Sequence, residues 1–176
     1  MDDAGASLQA EMSAMGREAR SGAMALRLAS AQTRTAAILG MARAIRAEAA
    51  EILAANTRDV DAAKASGMAP ALVDRQALDA ARVEAMAAGL ETVAAIRDPI
   101  GAEMDRWDRP NGLDIARVRT PIGVIAMIYE SRPNVTADAA GLCVRAGNAV
   151  ILRGGSECLA SNLAISFAIL SRMKPA

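Results

Sequence analysis

The 176-residue sequence contains no histidine. That absence excludes Ser-His-Asp triads, histidine-ligated metal sites and imidazole acid–base chemistry within this chain. Cysteine occurs twice, at Cys143 and Cys158. Two thiols cannot close a four-cysteine zinc site and make no disulfide framework, a usage that suits a reducing, cytoplasmic compartment. Aromatic residues are 2% of the chain, namely Trp107, Tyr129 and Phe167. That is too few for stacking platforms that bind single-stranded nucleic acid or sugars. Neither charge sign prevails, with 20 Lys and Arg against 20 Asp and Glu, so the electrostatic footprint of a nucleic-acid binder is missing. The longest uncharged stretch that reads as continuous structure, Cys158 to Ser171, is 14 residues, too short and too polar to span a membrane. Asp2 and Asp3 stand where a secretory signal would carry basic residues. They read, like the charges from Arg43 to Glu51, as solvated faces.

What the chain has in quantity is alanine, 43 residues or about a quarter of it, and alanine is the best helix former. The length suits one domain with a real core. Up to residue 98 the pattern is helical. The spacing predicts a helix over Leu8 to Arg20, and another over Ala23 to Leu28 with Ser21 as its N-cap. The strongest runs from Ala31 to Ala54, with Ile38, Met41, Ile45, Ala49 and Ile52 on one face. Asn56 either ends that helix or caps the next, which continues to Gly67. Pro70 opens a short segment. Asp79 caps Ala80 to Ile96, where Val83, Met86, Leu90 and Val93 repeat. Asp98-Pro99-Ile100-Gly101 is a turn. Asn111-Gly112 between two short extended runs signals a β-hairpin.

Val124 to Tyr129 is an apolar run of strand length, expected to be buried on both faces. Glu130 to Asn134 is a polar loop, and Thr136 caps a helix from Ala137 to Arg145. Ala149 to Leu152 is a second buried strand. Arg153-Gly154-Gly155-Ser156-Glu157 follows, then a helix from Leu159 to Met173. This is a βαβα unit. In an open parallel sheet, ligands bind beyond the carboxyl ends of the strands, which singles out the two loops.

Arg153 offers a fork suited to phosphate, the glycines admit close approach, and Ser156 can donate a hydrogen bond or cap the helix. The plainer reading is a tight turn with a surface arginine. Neither G-x-G-x-x-G nor G-x-x-x-x-G-K-[ST] occurs. Asn134 can supply an oxyanion donor or serve only the turn. Cys143 reads as a core thiol. Cys158, at a helix start, is the better nucleophile candidate, though a structural thiol is the plainer reading.

Pro121-Ile122-Gly123-Val124-Ile125, Ile128-Tyr129-Glu130-Ser131-Arg132-Pro133-Asn134-Val135-Thr136 and Asn148-Ala149-Val150-Ile151-Leu152-Arg153-Gly154-Gly155-Ser156-Glu157 closely resemble the gamma-glutamyl phosphate reductase family. That family is also called glutamate-5-semialdehyde dehydrogenase and belongs to the aldehyde dehydrogenase superfamily. The resemblance extends back through Ile52 to Asn56, Leu72 to Arg75 and Arg82 to Leu90. Gln76-Ala77 departs from it, since family members usually carry apolar residues there.

The resemblance implies an α/β fold in three parts. Residues 1–98 are N-terminal helices of the cofactor domain, 99–120 an oligomerisation-type hairpin, and 121–176 the start of a Rossmann-like parallel βαβα unit of aldehyde dehydrogenase type. It implies a reaction of proline biosynthesis in which NADPH reduces L-glutamyl 5-phosphate to L-glutamate 5-semialdehyde and phosphate. Glu130, Ser131, Arg153, Gly154, Gly155, Ser156 and Glu157 are then the cofactor-binding residues and Asn134 the oxyanion candidate. The loop around Asn134 is shorter than in typical aldehyde dehydrogenases. A serine at 156, where NAD-preferring relatives keep an acid, leaves room for a 2′-phosphate beside Arg153 and so favours NADP(H). The family's nucleophilic cysteine matches neither Cys143 nor Cys158. The chain is therefore expected to be the N-terminal part of a longer enzyme, inactive alone, with an unpaired strand edge at Leu152. Its implied partners are the small-molecule substrate, further copies of the subunit and, functionally, glutamate 5-kinase. The alternative is a non-catalytic nucleotide-binding or interaction module built on the same fold. No metal, nucleic acid or membrane is expected.

Overall fold

The computed structural model describes residues 3–171, with side chains from Ser7 onward. Asp2, the side chain of Asp3 and the expected helix end at Met173 lie outside the described residues. Seven α-helices, one short 3-10 turn and four strands follow in the order α1 (Asp3–Leu28), α2 (Ala31–Ala47), α3 (Ala49–Ala65), α4 (Pro70–Gln76), α5 (Ala80–Ala95), β1 (Glu103–Asp108), β2 (Asp114–Val118), β3 (Val124–Ile128), α6 (Asn134–Arg145), β4 (Ala149–Arg153), the 3-10 turn Ser156–Cys158, and α7 (Leu159–Ser171).

The core forms where the apolar stripes of α2, α3 and α5 meet α6 and α7. Ile38, Met41 and Ile45 of α2 and Ile52 of α3 pack with Val83, Met86 and Leu90 of α5, Ala137 and Val144 of α6, and Ile165 and Ile169 of α7. Fully burying such a side chain contributes about 1.5–3 kcal/mol. The helical half and the βαβα unit thus share one core. β3 and β4 pair in parallel, Val124 opposite Ala149 through Ile128 opposite Arg153, with α6 as the connection. β1 and β2 form a separate antiparallel hairpin, exposed along almost its whole length. Gly112 takes φ +81° in its turn, a conformation that favours glycine.

Several boundaries differ from the sequence reading. The two expected helices before residue 29 are one, and Ser21 caps nothing. Ala23 is buried and Leu26 packs against the core, so tertiary packing carries the helix through Ser21-Gly22. The expected Ala31–Ala54 helix breaks at Glu48 (φ −98°, ψ 16°). The break lets the stripes on either side of it both reach the core, although no Gly or Pro marks it. Asn56 neither ends nor caps a helix; it is buried inside α3. The expected Asp79 cap forms, its side chain accepting from the Arg82 N–H, and Ser30, for which no cap was expected, opens α2 by accepting from the Thr33 N–H. β3 is not buried on both faces, since Ala126 and Ile128 are exposed, Ile128 by 79%. Those two residues, two apart, share one face of the strand, and that face is open among the described residues. No helix of the described residues is long and apolar enough to cross a membrane.

Candidate functional site

The carboxyl ends of β3 and β4 lie side by side, and the Tyr129 N–H extends the pairing by donating to the Arg153 carbonyl at 3.1 Å. The two loops then close on each other. Ser131 Oγ donates to the Glu157 carboxylate at 2.7 Å. That bond, with a backbone N–H and nearby Arg153, holds the Glu157 carboxyl below its ordinary value. Glu130, Ser131, Arg153, Gly155 and Glu157 line one open cleft of about 570 Å³, with Tyr129, Arg75 and Leu72. Five of the seven expected cofactor residues are therefore together.

The glycines also serve the packing of the protein itself. A Cβ on Gly154 would stand 2.2 Å from Asn162 Nδ2 and 3.0 Å from the Tyr129 ring. One on Gly155 would stand 2.3 Å from Ser131 Oγ. Their missing side chains admit neighbouring protein, packing the second loop onto the first. Ser156 is corrected as a cap: it begins the 3-10 turn and makes no capping bond. The cap of α7 comes from Asp59 on α3. Its carboxylate accepts from the Ser161 N–H at 2.7 Å, the Ser161 hydroxyl at 2.6 Å and the Ala160 N–H at 3.3 Å.

Asn134 stands apart from this cleft. It begins α6, two residues before the predicted cap, and its Nδ2 donates to Asp138 at 3.1 Å. It lines a second cleft of about 460 Å³ with Arg75, Arg82, Arg132, Asp74 and Asp138. Burial raises the Asp138 carboxyl despite the Asn134 bond. Thr136, expected as the cap, is fully buried and caps nothing. Its hydroxyl donates to Asn162 Oδ1 at 3.2 Å and accepts from the Tyr129 hydroxyl at 2.7 Å. This relay ties the end of β3 to α6 and α7.

Both thiols are interior. Cys143 is buried, which raises its pKa. Cys158 is fully buried and its Sγ–H donates to Gln76 Oε1 at 3.1 Å. Burial first, then the charge of Asp59, push its thiol up to about 12. The helix start gives it no activation. Gln76 in turn sits in a buried polar cluster. Asn56 Nδ2 donates to the Gln76 carbonyl at 2.7 Å and to Ser161 Oγ at 3.0 Å, and Asn56 Oδ1 accepts from the Leu78 N–H at 2.7 Å.

The sequence reading missed Arg75, Arg132, Asp59 and this cluster. A buried-polar set scattered over α3, α4 and α7 has no spacing by which to find it. Among the described residues, no group of three or more metal-ligating side chains comes together.

A helical layer sharing one core with a parallel βαβ unit, and polar clefts at the strand ends, define an aldehyde dehydrogenase-type fold. The succinate-semialdehyde dehydrogenase of Burkholderia pseudomallei superposes with a TM-score of 0.60 at 21% identity, over 89% of this chain and 30% of that one. Within that fold, the chain matches an N-terminal portion of gamma-glutamyl phosphate reductases. It is 66% identical to the gamma-glutamyl phosphate reductase of Caulobacter vibrioides over 165 residues, which is 94% of this chain and 40% of that protein. The crystal structure of the Thermotoga maritima gamma-glutamyl phosphate reductase superposes with a TM-score of 0.87 at 43% identity, over 89% of this chain and 38% of that one. The Saccharomyces cerevisiae gamma-glutamyl phosphate reductase gives 0.85 at 30% identity, over 89% and 40%. No protein-family model matches the chain. The chain thus spans about 40% of the length of the curated relatives it matches.

Proposed function

We propose that this chain supplies the nucleotide-binding part of an NADPH-dependent reductase that converts L-glutamyl 5-phosphate to L-glutamate 5-semialdehyde and phosphate in proline biosynthesis. The observation that carries the reading is the closure of the Glu130–Ser131 and Arg153–Glu157 loops around one cleft at the strand ends, in a chain so similar to enzymes of that name.

The residues present fit such a nucleotide. Arg153 and Ser156 are both exposed at the loop, and no carboxylate occupies position 156 to repel a 2′-phosphate. The one acid in the loop, Glu157, is drawn toward Ser131 instead. Arg153 would hold the phosphate, and the Ser156 hydroxyl would hydrogen-bond beside it. When bound, the reduced nicotinamide supplies hydride. The chain's part is to bind and orient. In this reading Asn134, which lines the neighbouring cleft, would donate the N–H that Asp138 does not take to a developing oxyanion.

The nucleophile of this reading is a thiolate outside the chain, because Cys143 and Cys158 are both buried and held protonated. The purified chain is expected to bind NADPH and to show no turnover with NADP, phosphate and glutamate semialdehyde. Calorimetric titration of the chain and of Arg153→Ala tests this: binding that the substitution weakens about tenfold supports the reading. Binding that is absent, or indifferent to Arg153, overturns it.

A further inference from the structure

The second cleft carries two guanidinium groups without a close partner. Arg82 is fully engaged: it donates to the carbonyls of Asp74 and Ala77 at 2.6 and 2.7 Å and pairs with the Asp74 carboxylate at 3.1 Å. Arg75 and Arg132 differ. Among the described residues, each approaches only one carboxylate oxygen, and it is the same one. Glu130 Oε2 lies 3.8 Å from Arg75 Nη1 and 4.0 Å from Arg132 Nε, both beyond hydrogen-bond range. Glu130 is 77% exposed, so it loses little by leaving.

We infer that Arg75 and Arg132 form an anion site between α4 and the head of α6, taking a phosphate or carboxylate group of a small acidic substrate, with Glu130 as its displaceable internal counter-ion. The inference rests on the proposed acyl-phosphate reductase reading for the identity of that substrate, whose two ends carry these two groups. Two guanidiniums, from α4 and from the β3–α6 loop, approach the same Glu130 oxygen, and a guanidinium can donate two N–H groups to a tetrahedral or planar oxyanion. Asn134 lines the same cleft. An anion gripped there would bring the rest of a small substrate within the reach of its amide. The consequence for Glu130 is specific. It competes with the ligand rather than contacting it, so neutralising it should tighten anion binding.

The test is titration of the full chain with inorganic phosphate and, separately, with glutarate, read by calorimetry at low salt. Arg75→Ala and Arg132→Ala should each weaken binding about tenfold, and Glu130→Gln should strengthen it. Arg117→Ala, exposed on β2 of the hairpin and away from both clefts, is the control for loss of general positive charge and should change affinity far less. A response to phosphate alone assigns the site to the phosphate end, and a response to glutarate alone to the carboxylate end. The inference fails if neither anion binds, if affinity is indifferent to both arginines, or if Glu130→Gln weakens binding. Arg132→Lys, which keeps the charge at lower risk to folding, should fall between wild type and Arg132→Ala. NADPH titration of Arg132→Ala, whose side chain lines the second cleft and not the first, separates the two readings. Retained NADPH binding with lost phosphate binding supports the anion site, and failure of NADPH to bind the wild type touches only the nucleotide reading.

Discussion

Asp59 on α3 accepts hydrogen bonds from both the backbone N–H and the hydroxyl of Ser161, 102 residues further along the chain. An N-cap is usually supplied by the residue just before the helix. Here the helix that follows the candidate nucleotide loop takes its cap from the helical half. Asp59 is what fixes the start of α7, and with it the end of the Arg153–Glu157 loop.

Asp59→Ala should therefore destabilise the chain by about 1–2 kcal/mol, the range for losing a good N-cap. Urea denaturation followed by circular dichroism measures it. Asp61→Ala, on an exposed position of the same helix, is the comparison and should stay within about 0.5 kcal/mol of wild type.

Gly154 and Gly16 predict opposite outcomes for the same substitution. A Cβ at Gly154 collides with Asn162 and the Tyr129 ring, so Gly154→Ala should cost about 1–3 kcal/mol and loosen the cleft. A Cβ at Gly16, inside α1, meets nothing within 4 Å. Gly16→Ala should stabilise by about 0.5–1 kcal/mol. Thermal melts of both variants check the pair, and two shifts of the same sign would contradict the packing described for the loop.

Much of this was legible in the sequence. Turn residues bounded β3 and β4, and the stripes Ile38–Met41–Ile45 and Val83–Met86–Leu90 announced the core faces directly, because period and burial coincide there. The loops at the strand ends followed from the topology of the βαβα unit. What was not legible depended on partners far away in the chain. Ser156 looked like a cap because it precedes a helix, yet Asp59 does that work. Gly154 and Gly155 looked like room for a ligand, and nothing local showed that they also pack against Asn162, Tyr129 and Ser131. The break at Glu48 has no local breaker and arises only from packing both flanking stripes.

Arg34 on α2 pairs with Asp98, 64 residues away, at 2.5 Å. Burial pushes the Asp98 carboxyl up, but the Ile100 N–H and the Arg34 and Arg145 guanidiniums outweigh it and hold the group below its ordinary value. A carboxyl depressed on folding stabilises above its unfolded pKa, and the gain is lost as pH falls through the folded value. Asp98→Asn should thus be less stable than wild type at pH 7, and the gap should narrow progressively as pH falls below about 4. Urea midpoints at pH 7 and pH 3 give both numbers. A gap that widens on acidification would show that Asp98 acts by something other than its charge.

The two thiols provide the sharpest check on where the nucleophile lies. Cys143 and Cys158 are buried and both are shifted toward the protonated form, and Cys158 also donates to Gln76. In the native chain at pH 8, an aromatic disulfide reagent should label neither within the time that labels both in urea. Gln76→Leu removes the acceptor of the Cys158 proton but not its burial, so the native thiol should stay slow. The cost should appear in stability, because Gln76 is fully buried beside Asn56 and Ser161. Rapid native labelling confined to Cys158, and abolished in Cys158→Ala, would mean that the head of α7 opens to solvent. That thiol would then return as a nucleophile candidate within this chain.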